Sequence, residues 1–295
     1  MLGINQLKTV ALLGLLSGVI VLAGYYLVGN EQGLILGLIF AAFTSIGSWY
    51  YSDRAALASF QAQPLTREQA PDLYDMVAKL SDRAGIPMPK LFIAPSKSPN
   101  AFATGRDPNH ATIAVTEGIL ELLSPDELEG VIAHELTHVK NRDTLIQAVA
   151  GTLAGAITFL GRILTFGALY GPVGPGNRRG NNPLGLLFLI ILAPISATLI
   201  QLAISRTREY AADQGSAEIT GNPLALVRAL EKLQSMGQKV PIHGNPAFSP
   251  LLIINPLSAD GLRSLFLTHP PTEDRIRRLQ ELAQQLQQQP QTAAA

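Results

Sequence analysis

The chain has 295 residues, no cysteine, and 22 basic side chains balanced by 22 acidic ones, so its formal net charge is zero. This composition excludes disulfides, thiolate metal sites and cysteine nucleophiles, and the charge balance argues against a partner that is a nucleic acid. Only 15% of the residues are charged, against roughly 25% in an average soluble domain, which indicates that part of the chain faces a lipid bilayer.

Two uncharged apolar stretches open the chain, at residues 10–28 and 33–51. Each has about the 20 residues needed to cross a hydrocarbon core of about 30 Å. The second stretch ends in Trp49, Tyr50 and Tyr51, as is typical of a membrane–water interface. We therefore predict a transmembrane helical hairpin over residues 1–52. The alternative for the first stretch is a cleaved signal peptide, which its length and the closely following second stretch disfavour.

The polar region 53–147 is predicted to form the first part of a mainly α-helical domain with a small β-sheet. Apolar residues at helical spacing predict a helix over residues 71–84. Residues 90–94 and 112–115 are predicted as short strands, and residues 100–104 as a third.

A helix is predicted to begin after Ser124, where Glu127 completes a capping box. This helix places His134 and His138 one turn apart on the same face, so both imidazoles can reach one zinc ion at about 2.0–2.1 Å. Glu135 lies about 100° round the helix, beside the metal, where it can accept a proton from water. The H-E-x-x-H pattern is typical of this arrangement, in which two histidines bind zinc and the glutamate acts as a base. The alternative is an ordinary helix with two polar residues on a buried face.

Two further apolar stretches, residues 148–170 and 183–204, flank a loop rich in glycine, proline and asparagine. They predict a second hairpin over residues 148–204, either transmembrane or partly membrane-associated. Arg162 inside the first of them is costly in lipid, so it faces a polar cavity or this stretch lies partly against the soluble domain. Two hairpins return the chain to one side of the membrane, and the surplus of basic residues near the span ends there predicts that this side is cytoplasmic.

The region 205–282 is predicted to complete the domain. A catalytic zinc ion needs three protein ligands and an open position, and Glu209 and Asp213 lie one helical turn apart just after the second hairpin. We expect Glu209 to bind the metal and Asp213 to accept a hydrogen bond from one of the two ligand histidines. The alternative is an exposed acidic pair partnered by nearby arginines. Helices are also predicted after Asn222 and over residues 271–282, and residues 283–295 are predicted as a low-complexity tail.

Four motifs follow one another along the chain: PNAFATG at residues 99–105, HELTHVKNRD at 134–143, SRTREYAAD at 205–213 and THPPTEDRI at 268–276. Together they resemble the signatures of the HtpX family of bacterial membrane zinc proteases, which are relatives of the CAAX prenyl proteases. The resemblance extends over nearly the whole chain. The long glycine-rich loop at residues 171–182 is the one departure, and it leaves the geometry of the second hairpin open.

The resemblance implies a zincin-like, gluzincin-type metalloprotease domain that binds one Zn²⁺ per chain, with Glu209 as the third ligand. It also implies an edge strand along which an extended substrate lies. The residues expected along that substrate are Asn100, Ala101, Phe102 and Ala103. His269 is expected close to the site, where it could donate to the oxyanion. A helix-cap role before Pro270 is the equal alternative for His269.

The function that these observations predict is zinc-dependent endopeptidase activity in the bacterial inner membrane, with a cytoplasmic catalytic domain. The resemblance points to quality control, with misfolded or damaged membrane proteins as the polypeptide substrates. One rival is a peptidase of narrow specificity that trims a lipidated carboxyl terminus. Another is a membrane chaperone or scaffold with a structural zinc site, which would normally need a fourth ligand.

Overall fold

The structure, a computed structural model, describes residues 30–150, 206–237, 251–253 and 270–288, together with residues 152 and 248 and isolated positions before residue 30. His269, Arg162, the loop at residues 171–182 and nearly all of the predicted second hairpin lie outside the described residues. Most of the first predicted span also lies outside them.

Helix α1, Glu31–Ser59, contains the second predicted span and continues beyond its predicted end. It begins at Asn30, whose side chain accepts from the backbone N–H groups of Gln32 and Gly33. Its two parts, Glu31–Gly47 and Trp49–Ser59, meet at an angle of 61°. Within the described residues, no single helix is long and apolar enough to cross a membrane, whereas this bent pair meets the length and composition requirements together.

The first predicted span contacts α1 near Ser17 and near Val21. The hydroxyl groups of Ser17 and Ser45 lie 3.0 Å apart and share a hydrogen bond. Gly37 lies so close to Val21 that a Cβ atom added at Gly37 would stand 2.9 Å from the Val21 Cα. The contact between residues 17 and 45 and that between residues 21 and 37 run in opposite chain directions, as expected for a helical hairpin.

The domain after α1 contains a mixed four-stranded sheet in the order β1-β2-β4-β3. Strands β2 (Lys90–Ala94) and β4 (Ala111–Thr116) pair in parallel, while β3 (Ala101–Gly105) pairs antiparallel with β4 and lies at an edge of this sheet. These three strands were predicted from the sequence and are confirmed. The two-residue strand β1 (Gln63–Pro64), antiparallel to β2, was not predicted.

Six further helices with defined bounds make the described fold mainly helical, as predicted. They are α2 (Pro71–Ala84), α3 (Glu117–Leu122), α4 (Pro125–Lys140), α5 (Arg206–Thr220), α6 (Pro223–Gly237) and α7 (Thr272–Gln288). Helix α4 is central, since it contacts α2, α5, α6 and β3. Helix α7 ends at Gln288 rather than at the predicted residue 282, because Ala283 still packs in the interior.

The end of α1 packs against the sheet beside the edge strand. Ala56, Leu57 and Phe60 form an apolar cluster with residues from β2, β3 and β4. The rings of Phe60 and Phe102 lie 4.9 Å apart in a tilted arrangement. This cluster fixes α1 against the face of the sheet next to β3.

Candidate metal centre

Helix α4 is held at its first turn by a buried carboxylate. Glu127 accepts from the backbone N–H of Ser124 at 2.8 Å, which is one half of the predicted capping box. The same carboxylate accepts from Lys232 of α6 at 2.7 Å. Burial raises the pKa of Glu127, but the bonds from Lys232 and Ser124 outweigh it and hold the pKa below its ordinary value. The start of α4 is therefore fixed relative to α6.

His134 and His138 project from α4 into the same buried space, and Glu209 reaches it from α5. The Nε2 atoms of the two histidines lie 3.2 Å apart. The carboxylate of Glu209 lies 3.8 Å from His134 Nε2 and 3.5 Å from His138 Nε2. All three residues are buried, and they form a group whose ligand atoms lie within 4.8 Å of one another.

The spacing of these donor atoms fits one zinc ion. Donors at about 2.0–2.2 Å from zinc, with tetrahedral angles, lie roughly 3.3–3.6 Å from each other. The Nε2–Nε2 separation of 3.2 Å lies close to that range, and so do the distances of 3.8 Å from His134 Nε2 to Oε2 of Glu209 and 3.5 Å from His138 Nε2 to Oε1. Two imidazoles and one carboxylate are also a ligand set typical of catalytic zinc. The residues present therefore fit the ion that the sequence predicts.

Close packing of α5 on α4 brings Glu209 to the histidines. A Cβ atom added at Gly215 would stand 2.4 Å from Cγ2 of Thr137, so only glycine allows this approach. Ser216 adds a hydrogen bond from its hydroxyl to the carbonyl of Gly130 at 2.7 Å. Glu209 and Asp213 are consequently 1% and 3% exposed, so the alternative of an exposed acidic pair is wrong.

Each histidine is oriented by a carboxylate through its outer nitrogen. Asp213 Oδ1 lies 3.0 Å from His134 Nδ1, and Asp143 Oδ2 lies 3.0 Å from His138 Nδ1. With Nδ1–H donating to the carboxylate, each ring presents Nε2 to the metal. The contact of Asp213 with a ligand histidine was predicted. The contact of Asp143 was missed, although the residue lies within the HELTHVKNRD motif.

An arginine lies behind each of these carboxylates. Arg275 of α7 donates from Nε and Nη2 to the two oxygens of Asp213, at 2.9 and 2.6 Å. Arg208 of α5 has its Nε 3.7 Å from Asp143 Oδ1. Burial would raise the pKa of Asp213, but the charge of Arg275 and the bond with His134 hold that pKa below its ordinary value. The sequence did not predict that Arg208 contacts Asp143 or that Arg275 contacts Asp213.

The charges of this buried cluster do not cancel by themselves. Its four carboxylates belong to Glu135, Asp143, Glu209 and Asp213, and its two guanidinium groups to Arg208 and Arg275. With all four carboxylates ionised and both histidines neutral, as metal binding requires, four negative and two positive groups leave two negative charges. A divalent cation would make the cluster neutral, which is a second reason that these residues fit Zn²⁺.

The pKa values of the two histidines move in opposite directions. Burial lowers the pKa of His134 to about 4, against the hydrogen bond with Asp213, which raises it. Burial also acts to lower the pKa of His138, but the bond with Asp143 and the negative charge of Glu209 outweigh burial and raise it to about 9. His134 is thus neutral at pH 7, whereas a metal must displace a proton from His138.

Glu135 lies beside the three donors and contacts the edge strand. The backbone N–H of Ala103 in β3 donates to its carboxylate. Burial raises the pKa of Glu135 to about 8, with a further increase from the charge of Glu209 and an opposing effect of His138. A carboxyl group with a pKa close to neutral can both accept and release a proton at physiological pH.

Along strand β3, the backbone N–H and C=O groups of successive residues point alternately toward β4 and away from it. The carbonyl of Asn100 accepts from Thr116 on the β4 side at 3.0 Å, so the backbone groups of Ala101, Ala103 and Gly105 point to the outer side. There the Ala101 carbonyl accepts from Ile253 N–H at 3.3 Å. The Gly105 carbonyl accepts from the hydroxyl of Thr144 at 2.9 Å.

Of the four residues expected along a substrate, Ala103 is therefore the one that faces the metal centre. Phe102 is buried against Phe60, and Asn100 and Ala101 contact Ile253. His269, expected near the site, lies outside the described residues.

Two histidines one helical turn apart, a carboxylate from a second helix and an adjacent glutamate define a metal site of the H-E-x-x-H peptidase class. The profile of peptidase family M48 matches residues 67–283 of the chain. A protease HtpX homolog from Nostoc punctiforme is 57% identical over 96% of this chain and 98% of its own length. Homologs from Acaryochloris marina and a Sulfurihydrogenibium species are 55% and 49% identical, covering 98% and 96% of this chain and 98% of their own lengths. The chain belongs to peptidase family M48.

The predicted resemblance to HtpX proteases is thereby confirmed, and the chain is a protease. Among solved structures, the crystal structure of S. mikatae Ste24p has a similar fold, with a TM-score of 0.53 and 21% sequence identity. The match covers 93% of this chain and 65% of the Ste24p chain. At that identity the similarity concerns the fold alone.

Proposed function

We propose that this protease is a membrane-bound, zinc-dependent endopeptidase that hydrolyses misfolded or damaged membrane proteins. The observation that carries the proposal is the buried group of His134, His138 and Glu209, with Glu135 next to it and the edge strand alongside. One Zn²⁺ per chain would be held by the two Nε2 atoms and the Glu209 carboxylate.

A zinc ion in this position supplies Lewis-acid activation of water and of the scissile carbonyl group. The chain's own residues orient the ligands and exclude solvent. Asp213 and Asp143 keep both imidazoles oriented with Nε2 inward. The low exposure of the whole cluster excludes bulk water, so its charges act in a medium of low dielectric constant.

Glu135 is the proposed general base and acid. Its carboxylate would take a proton from the attacking water and deliver it to the leaving amine. The N–H of Ala103 donates to the carboxylate, and a cation bound at the adjacent site would lower the pKa of Glu135 from its metal-free value of about 8, so that the carboxylate can accept a proton near neutral pH.

The substrate is proposed to add as an extended strand to the outer side of β3, at Ala103. Binding of this kind uses main-chain hydrogen bonds and reads little sequence. Contacts from Ile253 and Thr144 flank Ala103 on that side and Ala103 itself is 2% exposed, so strand addition there would require this edge to be uncovered. Low sequence selectivity suits a protease that acts on unfolded segments of many proteins.

Helix α1 supports the proposed membrane location. Large apolar side chains along it are exposed, including Phe43 at 78% and Ile46 at 66%, and Trp49, Tyr50 and Tyr51 follow them. Such a surface fits lipid followed by an interfacial aromatic belt. The proposal places the first hairpin at residues 1–52 in the bacterial inner membrane, a second at 148–204, and the catalytic regions 53–147 and 205–282 on the cytoplasmic side.

Cleavage of an unfolded soluble protein by the full chain, purified in detergent and zinc-loaded, tests this function. Wild type should cleave, a chelator should stop it, and Glu135→Gln should retain zinc but not cleave. Equal cleavage by both proteins would contradict the proposed base. If zinc-loaded wild type cleaves neither the unfolded soluble protein nor an unfolded membrane protein, the chaperone or scaffold alternative is favoured.

A further inference from the structure

Arg275 is the largest of the nearly inaccessible side chains among the described residues, and it lies behind the metal centre. It is 2% exposed. Besides its two bonds to Asp213, its Nη2 lies 3.4 Å from His134 Nδ1 and its Nη1 lies 3.8 Å from Glu209 Oε2. One guanidinium group therefore touches two proposed metal ligands and the carboxylate that orients one of them.

A guanidinium group is suited to this position for a geometric reason. Its planar fork makes two parallel bonds to the Asp213 carboxylate, which fixes the plane of that carboxylate as well as its distance. The orientation of Asp213 in turn fixes the His134 ring. A lysine at residue 275 could supply the charge but not the plane.

Arg275 also reaches the segment that lies against the edge strand. Its Nη1 donates to the carbonyl of Ile253 at 3.3 Å. The N–H of the same Ile253 donates to Oδ1 of Asn100 at 3.0 Å and lies 3.3 Å from the carbonyl of Ala101. A continuous chain of polar contacts thus runs from His134 through Asp213, Arg275 and Ile253 to the start of β3.

The two arginines of the cluster approach it from different helices. Arg208 approaches Asp143 at 3.7 Å, from the helix that also carries Glu209. Arg275 instead comes from α7 and joins α4, α5 and the segment at Ile253. Arg275 therefore connects the His134 side of the site to the start of β3.

We propose that Arg275 is a positioning residue that holds the His134 side of the metal site and the start of β3 in one fixed arrangement. The inference deepens the proposed function and rests on it, since it assigns the geometry of that same site. It predicts that Arg275 controls both metal affinity and the binding of extended substrate, without itself touching the reacting atoms.

The test compares Arg275→Lys and Arg275→Met with the control Arg277→Met in the full chain. Arg277 lies on the same helix, its side chain is 65% exposed, and it pairs with Asp274 within that helix. Zinc affinity by chelator competition, the visible spectrum of the Co²⁺-loaded protein, and separate kcat and KM values are measured for each. The first two readouts need no turnover, so they remain informative even if the protein proves not to cleave the chosen substrate.

We expect Arg275→Lys to lower zinc affinity roughly 10- to 100-fold, as changes behind a metal ligand do. The Co²⁺ spectrum should change because His134 loses its fixed orientation, and KM should rise because the start of β3 is released. Arg277→Met should match wild type throughout. If Arg275→Met does not fold, Arg275→Lys decides the matter.

Zinc affinity within about twofold of wild type and an unchanged Co²⁺ spectrum for Arg275→Lys would overturn the proposal, because ligand positioning typically changes affinity by more than that. A lower melting temperature with unchanged metal binding would likewise show a purely structural role. A loss of zinc affinity with unchanged KM would overturn the connection to β3.

Discussion

Two regions of this protein reverse the usual distribution of side chains, and they do so in opposite ways. Around His134 and His138, six charged side chains are at most 8% exposed. Along α1, by contrast, large apolar side chains such as Leu38, Phe43 and Ile46 are 63–78% exposed. Buried charge and exposed apolar surface are both unfavourable in water unless a partner compensates for them.

Each reversal indicates the partner that the sequence is adapted to. With its carboxylates ionised and its histidines neutral, the buried cluster has two uncompensated negative charges and three donors at zinc spacing, which supports the proposed divalent cation as its partner. The exposed face of α1 carries no charge between Glu31 and Asp53, which supports the proposed contact with lipid. The cluster containing Phe60 and Phe102 joins the two regions, which would keep the catalytic centre beside the membrane.

Removal of a metal ligand should have the largest effect on the first region. His138→Ala or Glu209→Ala should lose bound zinc and lower activity by more than about 1000-fold, because the Lewis acid is lost. Metal analysis and cleavage of an unfolded protein check this. Full zinc occupancy and normal cleavage in Glu209→Ala would place the third ligand elsewhere.

A charged side chain on the exposed apolar face of α1 should weaken insertion of this helix into the membrane. Lysine at the centre of a span costs about 2.5–3.5 kcal/mol on insertion scales, so Phe43→Lys should disfavour the inserted form of the hairpin. The chain has one tryptophan, Trp49, so its quenching by brominated lipid reports the depth of α1.

We expect strong quenching of Trp49 in reconstituted wild type and weaker quenching in Phe43→Lys. The matched control is Leu286→Lys, a change at an exposed apolar residue of α7 that should leave the quenching unchanged. Absence of quenching in wild type would contradict the membrane location of α1.

Loss of the carboxylates behind the histidines should have an intermediate effect. Asp213→Asn and Asp143→Asn should each lower zinc affinity roughly 10- to 100-fold, because each orients one ligand ring. Asp107→Asn is a matched control, since Asp107 contacts His110 at 2.9 Å at an exposed site. Zinc affinities equal to wild type in both site variants would show that the histidines are fixed by the fold alone.

A change of pH should have the smallest effect of these on metal binding. His138, with a pKa of about 9, and Glu135, with a pKa of about 8, both hold a proton at pH 7 in the metal-free protein. Metal binding requires neutral His138, so protons compete with zinc below these pKa values. Apparent affinity should rise about tenfold or more per pH unit between pH 6 and 8 and level off above pH 9. Constant affinity from pH 6 to 9 would contradict this coupling.

Local patterns made the centre of the site predictable from sequence. His134, Glu135 and His138 lie within two turns of one helix, whose capping box is also visible in the sequence, so their relative placement follows from helix geometry. Strands β2, β3 and β4 could be predicted for a similar reason, because each is a short, mostly apolar stretch of consecutive residues. Glu209 was a candidate because it shares a helix face with Asp213, and the resemblance to a known family made it the third ligand.

The parts that sequence reasoning missed depend on tertiary structure. Asp143 lies beyond the end of α4, where Arg142 adopts a left-handed conformation (φ 59°) and the chain turns before the next helical residues. Arg275 comes from a helix distant in sequence, and helical spacing gives no reason to place it at Asp213. Strand β1 has two residues, too few for a periodic pattern.

X-ray absorption at the zinc edge, on the zinc-loaded full chain, tests the central claim most directly. We predict one zinc ion per chain bound by two imidazole nitrogens and by oxygen atoms at about 2.0–2.2 Å, and in His134→Ala either no bound zinc or zinc with a single imidazole. Zinc bound without imidazole, or an identical spectrum in His134→Ala, would contradict the assignment of the metal centre.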